Sequence, residues 1–317
     1  MLNGAKADRL PDFIAVGPPR TGTTWLGRAL RGHVGLPEGI KETQFFVWNY
    51  AQGLDWYKAY FRNCLPGLPA GEIAPTYFDH PEARERIAAA IPDCRIICSL
   101  RDPVARIYSQ YKAWHRAGLL TGPFDYAIQR QFLAASGSYA DNVRSWRAVF
   151  GKENVMVVLY DDLQANPQAY LGSICRFIGI GTIDLSGSPA MAQPMNRSER
   201  APWSPQLARG GRFLRDYLIR NRMTRVARYL EPGTLLWRIM FSGGSAYPKL
   251  APQHEEQLRL AMRPEVEDLE ELLGRDLRAW LEPGRSSIES LTRKPITGGE
   301  NETEYHPSRV AAPERPE

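Results

Sequence analysis

Along this chain, short runs that are apolar at every position alternate with stretches whose apolar residues recur every three or four positions. The first pattern is that of strands buried on both faces, the second that of helices lying on them. Residues 13–17 (FIAVG) form the first run, and Gly-Pro-Pro ends it. A helix is expected from about 22 to 31, where Trp25, Leu26, Ala29 and Leu30 share one side. Residues 81–90 read as a helix, 95–100 (RIICSL) as a second central strand and 155–160 (VMVVLY) as a third. Asp102-Pro103 sets a capping carboxylate before a proline at the first helical position, so a helix starts there and runs to about 117. Further helices are expected at 124–135, at 139–150 and from Asn166-Pro167 to near Gly179. Residues 181–204 read as loop, 205–231 as basic and helical, and 252–273 as a long amphipathic helix that Gly274 stops.

Strand, glycine-rich turn, helix is the opening of a nucleotide-binding α/β fold. The expected architecture is therefore a central parallel sheet flanked by helices, with a helical C-terminal portion. The 317 residues, 43% of them hydrophobic, divide into a flexible N-terminus at 1–10, a single domain at 11–282 and a polar, Pro/Gly-rich tail at 283–317 expected to be disordered. No internal repeat is visible.

Forty basic against 35 acidic residues leave a net charge of +5, which suits an anionic ligand without selecting one. Only seven of the basic residues are lysines, which draws notice to Lys41. The four cysteines (Cys64, Cys94, Cys98, Cys175) form no CxxC pair and no metal spacing, and Cys94 and Cys98 read as buried thiols. With no apolar leader at the N-terminus and no apolar run of about 18 residues, a cytoplasmic protein is expected.

The chemistry begins at Gly17-Pro-Pro-Arg-Thr-Gly-Thr-Thr24, which has the spacing of a phosphate loop. Glycines let successive N–H groups face an anion, and Gly22, Thr21, Thr23, Thr24, Trp25 and Arg20 are the candidate contacts. A nucleotide triphosphatase carries lysine after the second glycine; here that position is Thr23, and Arg20 is the nearby cation. The second candidate is Arg101 to Ser109, at the end of the second strand, where ligands of parallel sheets collect. Arg101 and Ser109 together suit a second phosphate; the alternative is that Arg101 pairs with Asp102 or another carboxylate.

These residues resemble the PAPS-dependent sulfotransferase superfamily, whose loop is similar to PPRTGTTWL (18–26) and whose second motif is similar to SLRDPVARIYSQY (99–111). The resemblance implies a P-loop NTPase-like sulfotransferase fold. It also implies that 3′-phosphoadenosine-5′-phosphosulfate (PAPS) is the donor, its 5′-phosphosulfate in the first loop and its 3′-phosphate at Arg101 and Ser109, with no metal. KETQFF (41–46) and EIAPTYF (72–78) look like elements of the carbohydrate, heparan-type branch and its bacterial relatives. Residues 139–150 and 269–280 join them, so the resemblance covers roughly 11 to 282. It implies Glu42 as general base, with Phe45, Phe46 and Trp48 as a possible apolar wall, Lys41 near the leaving oxygen or the acceptor, and Arg20 on the sulfonate. Arg197 and Arg200 become candidates for a basic loop over the 3′-phosphate. Two departures stand out: Ile73 replaces a lysine, and no basic glycan-binding cluster is clear. Expected acceptors are the hydroxyl or amine of a carbohydrate, lipid or natural product; contact with a membrane surface and oligomerisation stay open. The aromatics at 45–61 either line a pocket or cap the core.

Two other functions compete. A P-loop kinase or NTPase needs magnesium and an acid after a strand, for which Asp161-Asp162 is the available pair. A non-catalytic nucleotide- or RNA-binding protein would use the arginines at 197–228 and bind with a steep salt dependence.

Overall fold

The computed structural model describes residues 9–120, 122–124, 138–187, 200–220, 223–230, 234–241 and 243–284. The body of the helix expected at 124–135, the loop carrying Arg197 and the tail beyond 284 lie outside them.

Four parallel strands form the central sheet in the order β2-β1-β3-β4: β1 (Phe13–Val16), β2 (Gly71–Ile73), β3 (Arg95–Leu100) and β4 (Val155–Leu159). Both faces are covered, which explains the unbroken apolar runs. Ile14, Val16, Ile96 and Cys98 point to one side, where they meet α3 (Pro81–Ala90), α5 (Tyr139–Phe150) and the long C-terminal helix. Phe13, Ala15 and Ile97 point to the other, against α1 (Thr23–Ala29) and α7 (Pro167–Ile178). The remaining helices are α2 (Leu54–Lys58), α4 (Pro103–Arg116), α6 (Tyr160–Ala165), α8 (Pro205–Arg220), α9 (Thr224–Ala227), α10 (Leu235–Phe241) and α11 (Pro252–Leu273). A short antiparallel ribbon, β5 (Arg200–Pro202) with β6 (Gly243–Ala246), stands apart from the sheet.

The strand runs and most helix ends fall where the hydrophobic pattern puts them. Strand β2 does not show in that pattern, because it is three residues long with a glutamate at its centre. Its Gly71 is needed sterically: a Cβ there would drive into the Phe13 ring. The stretch 205–231 is helical as expected, in the pieces α8, α9 and a 3₁₀ turn at Arg228–Leu230.

Helix α11 holds the start of two others. Glu265 accepts from the Ser138 and Ala140 backbone N–H groups at α5 (3.1 and 2.8 Å). Arg259, buried, reaches Glu255 at 2.8 Å, Asp102 at 3.3 Å and the Trp280 carbonyl. Asp102 is the N-cap of α4 and accepts from Val104 N at 2.8 Å. All four cysteines are free thiols; burial pushes Cys98 up to about 12.

Candidate functional site

Strands β1 and β3 pair with Val16 opposite Cys98, so their carboxyl ends emerge side by side. The loop leaving β1 is pressed onto β3: Gly17, at φ 137°, lies so close to the Ser99 carbonyl that no Cβ fits. Ser99 Oγ donates to the Thr21 carbonyl at 2.7 Å, and Arg101 donates to the Arg20 carbonyl at 3.1 Å. Arg20 itself has φ 80°, a left-handed backbone that a non-glycine residue rarely adopts. That conformation goes with the aim of its side chain across to α4, where Nε donates to Ser109 Oγ at 3.0 Å. Residues 89 positions apart thus meet at one point.

The charge of this cluster is its main property. Burial, then Arg116, then Arg101 lower the Arg20 pKa to about 10, opposed by the Tyr160 hydroxyl. Arg101 lies over the Tyr160 ring, 4.5 Å from its centroid. The carboxylate next door makes no ion pair with Arg101, because Asp102 is turned inward to Arg259 and the α4 N-terminus, although the Arg101 charge still helps to hold its pKa down. Among the described residues no carboxylate pairs with Arg101. Three guanidinium groups, with Arg20 desolvated and repelled by the other two, and a serine hydroxyl form a cradle that an anion with several oxygens relieves. Phosphate chemistry fits these donors.

Two sequence expectations are corrected here. The Thr21 hydroxyl does not face an anion; it is fully buried and donates to the Pro18 carbonyl at 3.0 Å, closing the turn. The Trp25 side chain does not face the anion either: it is 3% exposed and packs edge-on against Tyr170 at 5.9 Å. The physical reason is the same for both, since α1 presses this side of the loop into the core. Gly22 supplies the left-handed turn before α1, Thr23 is buried and Thr24 half-buried. Arg200 is exposed at the start of β5, a strand that lies against α4.

The 41–46 segment splits between surface and core. Glu42 Oε1 meets Lys41 Nζ at 2.5 Å, and Oε2 accepts from Gln44 Nε2 at 2.8 Å. Gln44, at φ 54°, is tied in turn to Thr76 Oγ1. Thr43 faces inward, its N–H and hydroxyl both 2.7 Å from Glu72 Oε1, while Tyr57 and Tyr77 donate to Oε2. Burial raises the Glu72 pKa against these hydrogen bonds. Phe45 and Phe46 are core residues, Phe45 stacked on Tyr57 and Phe46 edge-on to Tyr77, and Trp48 is 68% exposed. The buried members of the aromatic stretch therefore cap the core. Ile73 is buried beside Gly27 of α1.

Sequence reasoning missed Arg116 and Tyr160. For Arg116 a signal existed: it lies seven positions after Ser109, two turns on, and so on the same face of α4. The acids proposed for a magnesium site are otherwise engaged, Asp162 by Arg275 and Asp161 by Trp280 Nε1 at 3.1 Å. Among the described residues no cluster of metal-ligating side chains occurs. His115 is fixed by Tyr247 at 2.9 Å, and burial lowers its pKa.

Comparison with known proteins agrees with this geometry. A family model described as the sulfotransferase domain matches residues 10–192. The human bifunctional heparan sulfate N-deacetylase/N-sulfotransferase 2 is 30% identical over 200 residues, 55% of this chain and 22% of that protein. Its counterpart from Drosophila melanogaster is 28% identical over 209 residues, 55% of this chain and 20% of that one. The chain thus spans about a fifth of the length of these curated relatives. The crystal structure of a sulfotransferase from Alicyclobacillus acidocaldarius superposes with a TM-score of 0.61 at 22% identity, covering 86% of this chain and all of that one, and so has the same fold.

Proposed function

The chain belongs to the sulfotransferase domain family, and on that premise we propose that it transfers the sulfuryl group of PAPS to a hydroxyl or amine, with a carbohydrate as the acceptor class. One observation carries the donor assignment: Arg20, Arg101, Arg116 and Ser109 converge from two adjacent strand ends and one helix face. The relatives are named for heparan sulfate and N-sulfation, which supports a glycan nitrogen or oxygen as acceptor.

In this reading Arg101 and Ser109 hold the 3′-phosphate, and Arg20, with the backbone of 21–24, holds the 5′-phosphosulfate. Glu42 takes the proton of the acceptor as its oxygen or nitrogen bonds to sulfur. The bond from sulfur to the bridging phosphate oxygen breaks, and the electron pair leaves on that oxygen. Arg20 opposes the charge that builds there, the kind of fixed electrostatic help on which such transfers depend. Lys41 and Gln44, each bonded to one oxygen of Glu42, set the direction of its carboxylate.

Calorimetric titration with 3′-phosphoadenosine-5′-phosphate, beside ADP and Mg-ATP, tests the donor. Binding is expected without metal and only with the 3′-phosphate. Arg101→Ala should weaken it roughly 10- to 100-fold, the worth of a charge-assisted contact. Preference for Mg-ATP, or equal losses for ligands with and without the 3′-phosphate, rejects the assignment. Glu42→Gln should keep this binding and lose transfer; substantial turnover in that variant removes Glu42 as the base.

A further inference from the structure

Helix α8 turns most of its described large apolar side chains outward. Its inward side carries the small residues Ala208, fully buried, and Gly211, which lies against Met240 and Phe241. Leu218 is buried with Ala227 and Leu230, but four other large apolar side chains face solvent: Leu207 and Leu214, with Phe213 75% exposed and Tyr217 54%. Leu207, Leu214 and Tyr217, seven and three positions apart, line one outward stripe. The neighbouring pieces do the same, with Trp203 at 76% and Leu235 at 72%. Of the eighteen large hydrophobic residues exposed among the described residues, eleven fall between Trp203 and Ile239. A solvent-facing apolar concentration of this kind marks a surface made for contact.

Charge says what kind of contact. Residues 203–241 contain eight arginines and no lysine against Asp216 and Glu231, a surplus of six where the whole chain carries +5. Arg209, Arg228 and Arg238 are exposed beside the apolar groups. A second copy of this surface would meet it with like charge. Exposed aromatic and aliphatic side chains interleaved with arginine are instead what lies in the headgroup region of an anionic bilayer. No helix of the structure is long and apolar enough to cross a membrane. Contact by these short helices lying flat is compatible with that.

We propose that the 203–239 lobe docks the protein on an anionic lipid surface. The lobe adjoins the anion cradle through α4: Arg209 donates to the Gly118 carbonyl at 3.2 Å, and Arg116 lies over the Trp237 ring at 5.5 Å. Docking therefore brings the cradle to the membrane, where an acceptor carried on a lipid is presented. The docking surface stands independently of the donor assigned above.

The test is flotation of the full chain with vesicles of phosphatidylcholine alone or mixed with phosphatidylglycerol. Binding is expected only with the anionic lipid, and to weaken as salt rises. Phe213→Ser with Leu235→Ser, both at exposed positions, should lower vesicle affinity on the order of tenfold or more while leaving nucleotide affinity unchanged. Arg228→Glu with Arg238→Glu should remove the preference for anionic lipid. Binding that ignores lipid charge, or none, overturns the proposal. So does a concentration-dependent dimer that the Phe213→Ser/Leu235→Ser protein loses, or single-stranded RNA binding abolished by the same change.

Discussion

Replacing Arg259 with leucine asks how far the C-terminal helix supports the anion cradle. Its guanidinium serves two carboxylates, Asp102 and Glu255, whose side chains are 6% and 8% exposed. Removing the cation from a buried pair costs about 3–5 kcal/mol, because the remaining charge is stranded. With two carboxylates stranded, the upper end, about 5 kcal/mol, is expected. Urea unfolding at neutral pH should show it as a midpoint lower by roughly 2 M, for a slope near 2–3 kcal/mol/M. The pH dependence has a definite sign. Burial already raises the Asp102 pKa, with Arg259 the first of the forces opposing it. Losing Arg259 raises it further. A carboxyl whose folded pKa lies above its unfolded value loses stability as pH rises through that window. The deficit of the Arg259→Leu protein should therefore be largest at neutral pH and shrink on acidification. Adding Glu255→Leu should recover part of the loss, since one stranded carboxylate goes. A loss under about 1 kcal/mol, or a deficit that grows towards acid, would show that the triad does not hold the α4 N-terminus as described.

Two further outcomes follow from the same geometry. Gly17→Ala should lower stability by about 2–4 kcal/mol, from the left-handed backbone and the clash with the Ser99 carbonyl, and calorimetric unfolding of a fully stable variant would contradict the close packing of β1 on β3. Burial holds the Glu72 pKa above its ordinary 4.5, so the native protein loses stability as pH climbs from that value through the folded pKa; the Glu72→Gln protein should lack this slope, and parallel stability–pH curves for the two would refute it.

What the sequence made legible was whatever local periodicity controls. Strands β1, β3 and β4 announce themselves because both faces of each are buried, and α4 and α7 because Asp102-Pro103 and Asn166-Pro167 cap them in fact as in pattern. Strand β2 stayed hidden because its central glutamate is satisfied by Thr43, Tyr57 and Tyr77, partners from other parts of the chain. At the site, the resemblance nominated Arg20, Arg101 and Ser109 for two separate anion positions. That Arg20 bridges to Ser109 depends on a left-handed residue and a parallel strand pair, neither of which spacing encodes. Thr21 and Trp25 were misplaced for the opposite reason: a motif lists side chains but not which of them face the core.

The order β2-β1-β3-β4 also bears on how the chain comes to be folded. Strand β1 is made first among the strands yet lies inside the sheet, and its partners Gly71 and Arg95 are synthesised about 60 and 80 residues after Phe13. At a ribosomal pace of about 5–20 residues per second, this bare apolar strand waits several seconds for its first neighbour. Those seconds are the interval in which a nascent chain is open to capture by other unpaired strands, so a holding chaperone should act on the segment before residue 71 and release it once β3 has emerged.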